Sequence, residues 1–205
     1  MIGLDMDWQE VVNPDSVEVY GIDYAVKCSK YPMATDIEKC TPIVTNTVNS
    51  LGKSKPGTGH NNFLKGIIVE FDLTMSPKMS VELERYHFID FISSCSTMHR
   101  ITKFDLDTSY LPWVDQRCID IMHDLVQQYN LMTPEEQTTD KGKELYLKIL
   151  YSNPCGFTLS AGMVTNYLQL KTIYAQRHNH RLPEWRAFCK WIETLPHSEW
   201  ITDNY

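Results

Sequence analysis

The chain has 205 residues, 19 basic and 26 acidic side chains and a formal charge of −7, with 42% apolar and 11% aromatic residues. That mixture excludes a disordered chain, and the length suits one domain, residues 1–205, with a true core. No apolar run approaches the roughly 18 residues of a membrane span and no cationic-then-apolar leader opens the sequence, so it reads as a soluble, cytoplasmic protein. Net acidity argues against duplex nucleic acid or an anionic membrane as partner.

Residues 22–28 alternate, with Ile22, Tyr24, Val26 and Cys28 on one face, which predicts a half-buried strand. Thr41-Pro42, then Val44, Val48, Leu51 and Gly52, predicts a helix with Thr41 as N-cap, proline in first position and a glycine stop. Residues 53–62 form a polar loop. Ile67, Val69, Phe71 and Leu73 alternate with Ile68, Glu70, Asp72 and Thr74, the clearest strand in the chain. Ser76-Pro77 starts a helix toward Tyr86. Pro112 opens a helical segment with Val114, Cys118, Ile121, Leu125 and Tyr129 at helical spacing. Thr133-Pro134-Glu135-Glu136 is a capping box starting a helix toward Leu150. After the break at Asn153-Pro154-Cys155-Gly156, Met163, Tyr167, Leu170 and Tyr174 mark another helix. Pro183 starts the last, with Trp185, Phe188, Cys189, Ile192 and Leu195 facing a core. Strands cluster early and helices late, without βαβ alternation, so the class is α+β with a helical C-terminal half.

The six cysteines (28, 40, 95, 118, 155, 189) contain no Cys-x-x-Cys pair, which excludes a structural zinc site; they read as reduced and mostly buried thiols. Gly57-Thr58-Gly59 lacks the third glycine and the preceding strand of a dinucleotide fingerprint, and Walker, His-Glu-x-x-His and Gly-x-Ser-x-Gly patterns are absent.

Two constellations remain. Between Arg85 and Arg100 lie two Arg, two His (His87, His99), three Ser (Ser93, Ser94, Ser96), one Thr and one Cys. Crowded hydroxyls and cationic donors suit a phosphate or nucleotide; they equally describe a polar turn whose Ser and Thr cap the next element. From Lys171 to Lys190 five formal cations (Lys171, Arg177, Arg181, Arg186, Lys190) face one acid, Glu184, and His178 and His180 add two titratable rings. This local charge reversal at a helix–helix junction reads as an anion pocket in preference to a solvated basic face. Trp185, Phe188 and Trp191 read as core.

In order along roughly residues 58–190, these pieces resemble the flavin-dependent thymidylate synthase family. Gly59-His60-Asn61-Asn62-Phe63-Leu64-Lys65-Gly66 is similar to its Gly-His-x-Ser-x-Leu-Glu-His segment, and Arg85-Tyr86-His87 falls where its Arg-His-Arg signature stands. Ser94 and Ser96 lie where its Ser-x-Arg follows. Pro154, Asn166, Arg177 eleven residues later, and Glu184-Trp185-Arg186 are similar to its C-terminal series. Departures are Tyr86 and His87 for His and Arg, Gly66 for the loop's second His, Asn62 for its Ser, and Leu168 for the Arg two residues after the Asn.

The resemblance implies a thymidylate synthase complementing protein-like fold, an antiparallel sheet flanked by helices, assembled as a homotetramer. It implies FAD, with folate and NADPH if the chain is active, and a small phosphorylated ligand, a pyrimidine nucleotide. The expected nucleotide contacts are Arg85, His87, Ser94, Ser96, His99, Arg100, Asn166, Arg177 and Arg186. The expected cofactor contacts are His60, Asn62, His178, His180 and Arg181. Two functions stay open: methyl or methylene transfer to a uridylate, or a non-catalytic binder of the same fold, such as a bacteriophage could use to sequester nucleotides or nucleotide signals.

Overall fold

The computed structural model describes residues 4–203. The elements run β1 (Glu18–Tyr20), α1 (Ile22–Cys28), α2 (Asn46–Lys53), β2 (Ile68–Met75), α3 (Pro77–Leu83), β3 (Ile89–Ser94), α4 (Thr97–Arg100), α5 (Gln116–Asn130), α6 (Pro134–Thr138), α7 (Asp140–Ser152), β4 (Leu159–Asn166), α8 (Tyr167–Arg177), α9 (Pro183–Ile192) and α10 (Glu199–Thr202), with short 3₁₀ turns between. The four strands form one antiparallel sheet in the order β1-β2-β4-β3, as the α+β reading requires. β1 pairs with β2 in the register Glu18 to Glu70, Val19 to Val69 and Tyr20 to Ile68.

The chain divides into two compact units, the first comprising residues 1–74, 83–93 and 161–205, the second 75–82 and 94–160. In the first, β2 turns Val69, Phe71 and Leu73 inward, each at most 2% exposed. Alternation has its usual cause: side chains of an antiparallel strand project to opposite faces, one packed and one solvated. Phe71 meets Phe188 and Trp191 of α9 at ring-centroid distances of 5.9 and 4.5 Å. Trp185, Phe188 and Trp191 are buried, as their helical spacing predicts. The second unit packs Ile101, Leu106, Met122, Val126, Ile149 and Phe157 into its own core. The Thr133 capping box is present, with Glu136 N–H donating to Thr133 Oγ1 at 3.3 Å and Thr133 N–H to Glu136 Oε2 at 2.8 Å.

Several expectations are corrected. Residues 22–28 are the helix α1, because burial selects the adjacent pair Ala25 and Val26 while Tyr24 points outward. Gly21 starts that helix at φ 82, and a Cβ there would collide with the Gly66 carbonyl oxygen. The helix expected from Thr41 begins four residues later, with Thr45 as N-cap and Asn46 as its first residue. Lys30 Nζ takes the Thr41 and Ile43 carbonyl oxygens, both at 2.8 Å, and holds that stretch extended, so Thr45 caps Val48 instead. The helix expected from Pro112 starts at Gln116, where Asp115 supplies the cap. The run toward Leu150 is two helices, since Thr139 ends α6 and caps α7. Met163 belongs to β4, whose Ala161, Met163 and Thr165 are buried; helix begins only at Tyr167. Residues 89–94, inside the segment read as a site or turn, are the strand β3. All six cysteines are free thiols, but Cys95, Cys118 and Cys155 are exposed and only Cys189 is buried.

Candidate functional site

A cleft of about 370 Å³ in the first unit is lined by Lys65, Phe88, Asn166, Leu168, Gln169 and Thr172. β4 ends at its wall and α8 starts there. Asn166 is the N-cap, its Oδ1 accepting the Gln169 N–H at 2.9 Å. That geometry satisfies an orphan donor of the first helical turn and fixes the Asn166 side chain beside the cleft. Thr172 donates to the Leu168 carbonyl oxygen at 3.2 Å. Lys65, from the 3₁₀ turn Asn62–Gly66, supplies the ammonium. Phe88 presents an aromatic face 62% exposed, and its carbonyl oxygen is pinned by Thr165 Oγ1 at 2.7 Å. The wall thus offers amides, a hydroxyl, one fixed cation and a stacking surface, and its size falls within the roughly 300–1,000 Å³ of small-molecule sites.

The second unit holds a cavity of about 340 Å³ lined by Met98, His99, Arg100, Thr102, Lys103, Tyr129, Gln137 and Tyr146. Tyr146 donates to the Met98 carbonyl oxygen at 2.9 Å, and its ring lies 5.1 Å from that of Tyr129. Burial and the neighbouring Tyr129 push the Tyr146 phenol up, so it remains a neutral donor. Gln137 Nε2 donates to the Tyr129 carbonyl oxygen at 3.1 Å. His99, Arg100 and Lys103 line this cavity and no carboxylate does, although this unit as a whole has more Asp and Glu than Lys and Arg.

The junction between α8 and α9 uses its charges differently. Lys171 is fully buried and donates to the carbonyl oxygens of Gly52 at 2.7 Å and Trp200 at 2.8 Å. Burial pulls its ammonium down to about 8, against a weaker upward pull from Asp203. Arg177 Nε donates to the Tyr86 hydroxyl at 2.8 Å, its NH1 meets His180 Nε2 at 2.9 Å, and its guanidinium lies 4.9 Å from the Trp185 ring centre. Arg186 binds Asp5 Oδ1 and the carbonyl oxygens of Leu4, His180 and Arg181, all within 2.7–3.0 Å. Lys190 pairs with Glu193. His178 stacks on Tyr174, with Nδ1 2.9 Å from the Tyr174 carbonyl oxygen. In the basic run expected to be an anion pocket, Lys171, Arg177, Arg186 and Lys190 are thus each bonded to groups of this chain, and Arg181 is exposed.

Of the residues singled out from sequence, Asn166 lines the first cleft, and His99 and Arg100 line the second cavity. Arg85 and His87 are exposed on either side of buried Tyr86. Ser94 is exposed at the end of β3, and Ser96 precedes α4 without a side-chain cap. His60 and Asn62 are exposed, while Asn61 between them is buried and donates to the Ser54 carbonyl oxygen at 3.0 Å. Sequence reasoning missed Lys65, Phe88, Gln169 and Thr172, and in the second unit Lys103, Gln137 and Tyr146. Lys65 stands in the very segment that carries the family likeness and Phe88 lies inside the Arg85–Arg100 segment; the others had no signal beyond generic helix or loop polarity. Among the described residues, no group of three or more His, Cys, Asp or Glu could hold a metal, and no helix is long and apolar enough to cross a membrane.

No protein-family model matches the chain, and no curated protein matches it by sequence. Solved structures do match. Two crystal structures of flavin-dependent thymidylate synthase ThyX from Helicobacter pylori, both with FAD and dUMP, superpose with TM-scores of 0.64 and 0.66. Each is 12% identical and aligns over 92% of this chain, covering 98% and 97% of its own length. The UMP/dUMP methylase PolB from Streptomyces cacaoi, bound with 5-Br dUMP, matches with a TM-score of 0.60 and 12% identity, over 90% of this chain and 92% of its own. The chain has the fold of the flavin-dependent thymidylate synthases.

Proposed function

We propose that this protein binds a pyrimidine nucleotide. The observation that carries the reading is the cleft at the start of α8, where Lys65, Asn166, Gln169 and Thr172 meet the face of Phe88. An ammonium suits a phosphate, amides and a hydroxyl suit the imide edge of a uracil, and an exposed aromatic ring suits its face. The fold supports the reading, because two of the matching structures hold FAD and dUMP and the third holds 5-Br dUMP. Two fixed cations, Arg100 and Lys103, and the His99 imidazole, without a carboxylate, give a further place for phosphate oxygens in the second unit's cavity.

The same donor set fits part of a flavin. About 370 Å³ takes one nucleotide-sized portion, so Lys65, Asn166, Gln169 and Phe88 would hold one half of FAD and the remainder would lie on other surfaces, as in an oligomer. When bound, FAD supplies the hydride and methylene chemistry; the chain's own residues bind and orient.

A second reading is favoured by one observation. Arg177 and Arg186, expected as ligand contacts, are engaged by the protein itself, and Tyr86, at the centre of the altered signature, points into the core. A nucleotide binder without catalysis needs none of the three at the ligand. Calorimetric titration with dUMP, UMP and dAMP tests binding: a pyrimidine-selective response lost in Lys65→Ala supports it, and no response to any of them overturns it. The visible spectrum after loading with FAD, followed by assay of methyl transfer to dUMP with methylene-tetrahydrofolate and NADPH, separates the two readings.

A further inference from the structure

We infer that Arg177 is a positioning residue, which holds the turn at residues 84–88 through the Tyr86 hydroxyl and does not touch the nucleotide. The inference rests on the nucleotide-binding reading and deepens it. The turn leaves the buried Leu83, sends Tyr86 inward and reaches the buried Ile89 at the start of β3. Three side chains from outside its own sequence neighbourhood fix it at two points. The Tyr86 hydroxyl donates to Gln176 Oε1 at 2.9 Å and accepts from Arg177 Nε at 2.8 Å. Two residues on, Thr165 Oγ1 holds the Phe88 carbonyl oxygen at 2.7 Å.

Between and beside these two anchors stand the exposed Arg85 and His87, and Phe88 itself forms part of the cleft wall. A cation or ring on a turn pinned at two points loses little entropy when a ligand arrives; on a loose turn it must first be ordered. Arg177 is oriented for that task. Its Nε and NH1 point at Tyr86 and His180, and Trp185 covers its flat face at 4.9 Å while the Tyr86 ring lies 5.7 Å away. A guanidinium so enclosed is held in place by charge-assisted bonds and cation–π contact, and turning it toward a phosphate would break them together.

The test combines a binding arm with a ligand-free arm on Tyr86→Phe, Arg177→Gln, their double variant and Arg177→Lys. Tyr86→Phe keeps the buried ring, so it isolates the hydroxyl. Calorimetry with dUMP is expected to show affinity about tenfold weaker in either single variant, and the double variant no weaker than the poorer single. Arg177→Lys should recover part of the loss. In the ligand-free protein, amide exchange over residues 85–88 is expected to accelerate in both single variants. Unchanged exchange, or full affinity in Tyr86→Phe beside a large loss in Arg177→Gln, would overturn the inference. If wild-type protein fails to bind dUMP, the nucleotide reading falls, and the exchange arm alone still decides whether Arg177 holds the turn.

Discussion

Two basic clusters of similar composition behave in opposite ways. Between Lys171 and Lys190, four of the five formal cations are fastened to carbonyl oxygens, carboxylates or aromatic groups of the protein itself. Around residues 99–103, His99, Arg100 and Lys103 line a cavity whose wall includes no carboxylate. The first cluster arises where helices meet and leave carbonyl oxygens and an acidic N-terminal segment to be satisfied; the second sits on a short helix and turn with few such partners. A charge reversal in a sequence therefore marks a place where anionic or carbonyl partners are needed, and whether those partners are internal decides between scaffold and site.

Arg186 belongs to the enclosed cluster. Replacing it by Ala removes the partner of Asp5 and the donor to three carbonyl oxygens, most of them open to water, and should cost about 1–2 kcal/mol in chemical denaturation. Arg100→Ala should leave the denaturation midpoint where it is. If the two variants behaved alike, the distinction between the clusters would be lost.

Lys171 gives an effect that grows with pH. Its native ammonium sits near 8 against an ordinary 10.5, so between those pH values the unfolded chain binds more protons than the folded one and stability must rise with pH. The penalty for the buried charge is present below about pH 8 and gone above about 10.5. The stability difference between wild type and Lys171→Met should therefore move in favour of wild type by about 3 kcal/mol across that window. Cys189, raised to about 12 by burial, opposes the rise above pH 9 in each protein, and taking the difference cancels it. A difference curve flat from pH 7.5 to 10.5 contradicts the assignment.

The open cluster is sharpened by Arg100→Ala and Lys103→Ala, measured as dUMP affinity. Each should weaken binding by about tenfold if its charge meets a phosphate, with no change in stability. Equal affinity in both variants would confine the ligand to the α8 cleft. The smallest effect belongs to Lys190→Ala. Its bond to Glu193 is solvent-exposed, with the lysine side chain 67% accessible, and its loss should alter stability by only a few tenths of a kcal/mol.

How much was legible beforehand depended on whether a residue's partners were local. The β2 alternation, the Thr133 capping box and the Pro183 helix follow from neighbours within a few positions, and all three stand in the structure. Residues 22–28 alternate in sequence yet form a helix, because Gly21 approaches the Gly66 backbone and the core takes Ala25 and Val26. Met163 lies at helical spacing from Tyr167 and Leu170 but sits in β4, whose inward side chains at 161, 163 and 165 alternate with small outward ones. In the α8 cleft, Asn166 was readable from the family likeness, whereas Gln169 and Thr172 are ordinary helix residues until β4 and Phe88 stand beside them.

An acidic α+β chain, aromatic helices buried at its C-terminal end and the ordered motif pieces of one fold are all written in the residue order. Local periodicity and capping carry that information, because they act over one or two helical turns. Which cations stay open to a ligand depends on long-range packing. A guanidinium or ammonium has the same charge in any sequence, but Lys171 ends in the carbonyl oxygens of Gly52 and Trp200, 119 and 29 residues distant, while Arg100 reaches a cavity wall. Net charge counts both equally; only the partners brought together by folding separate a clamp from a binding site.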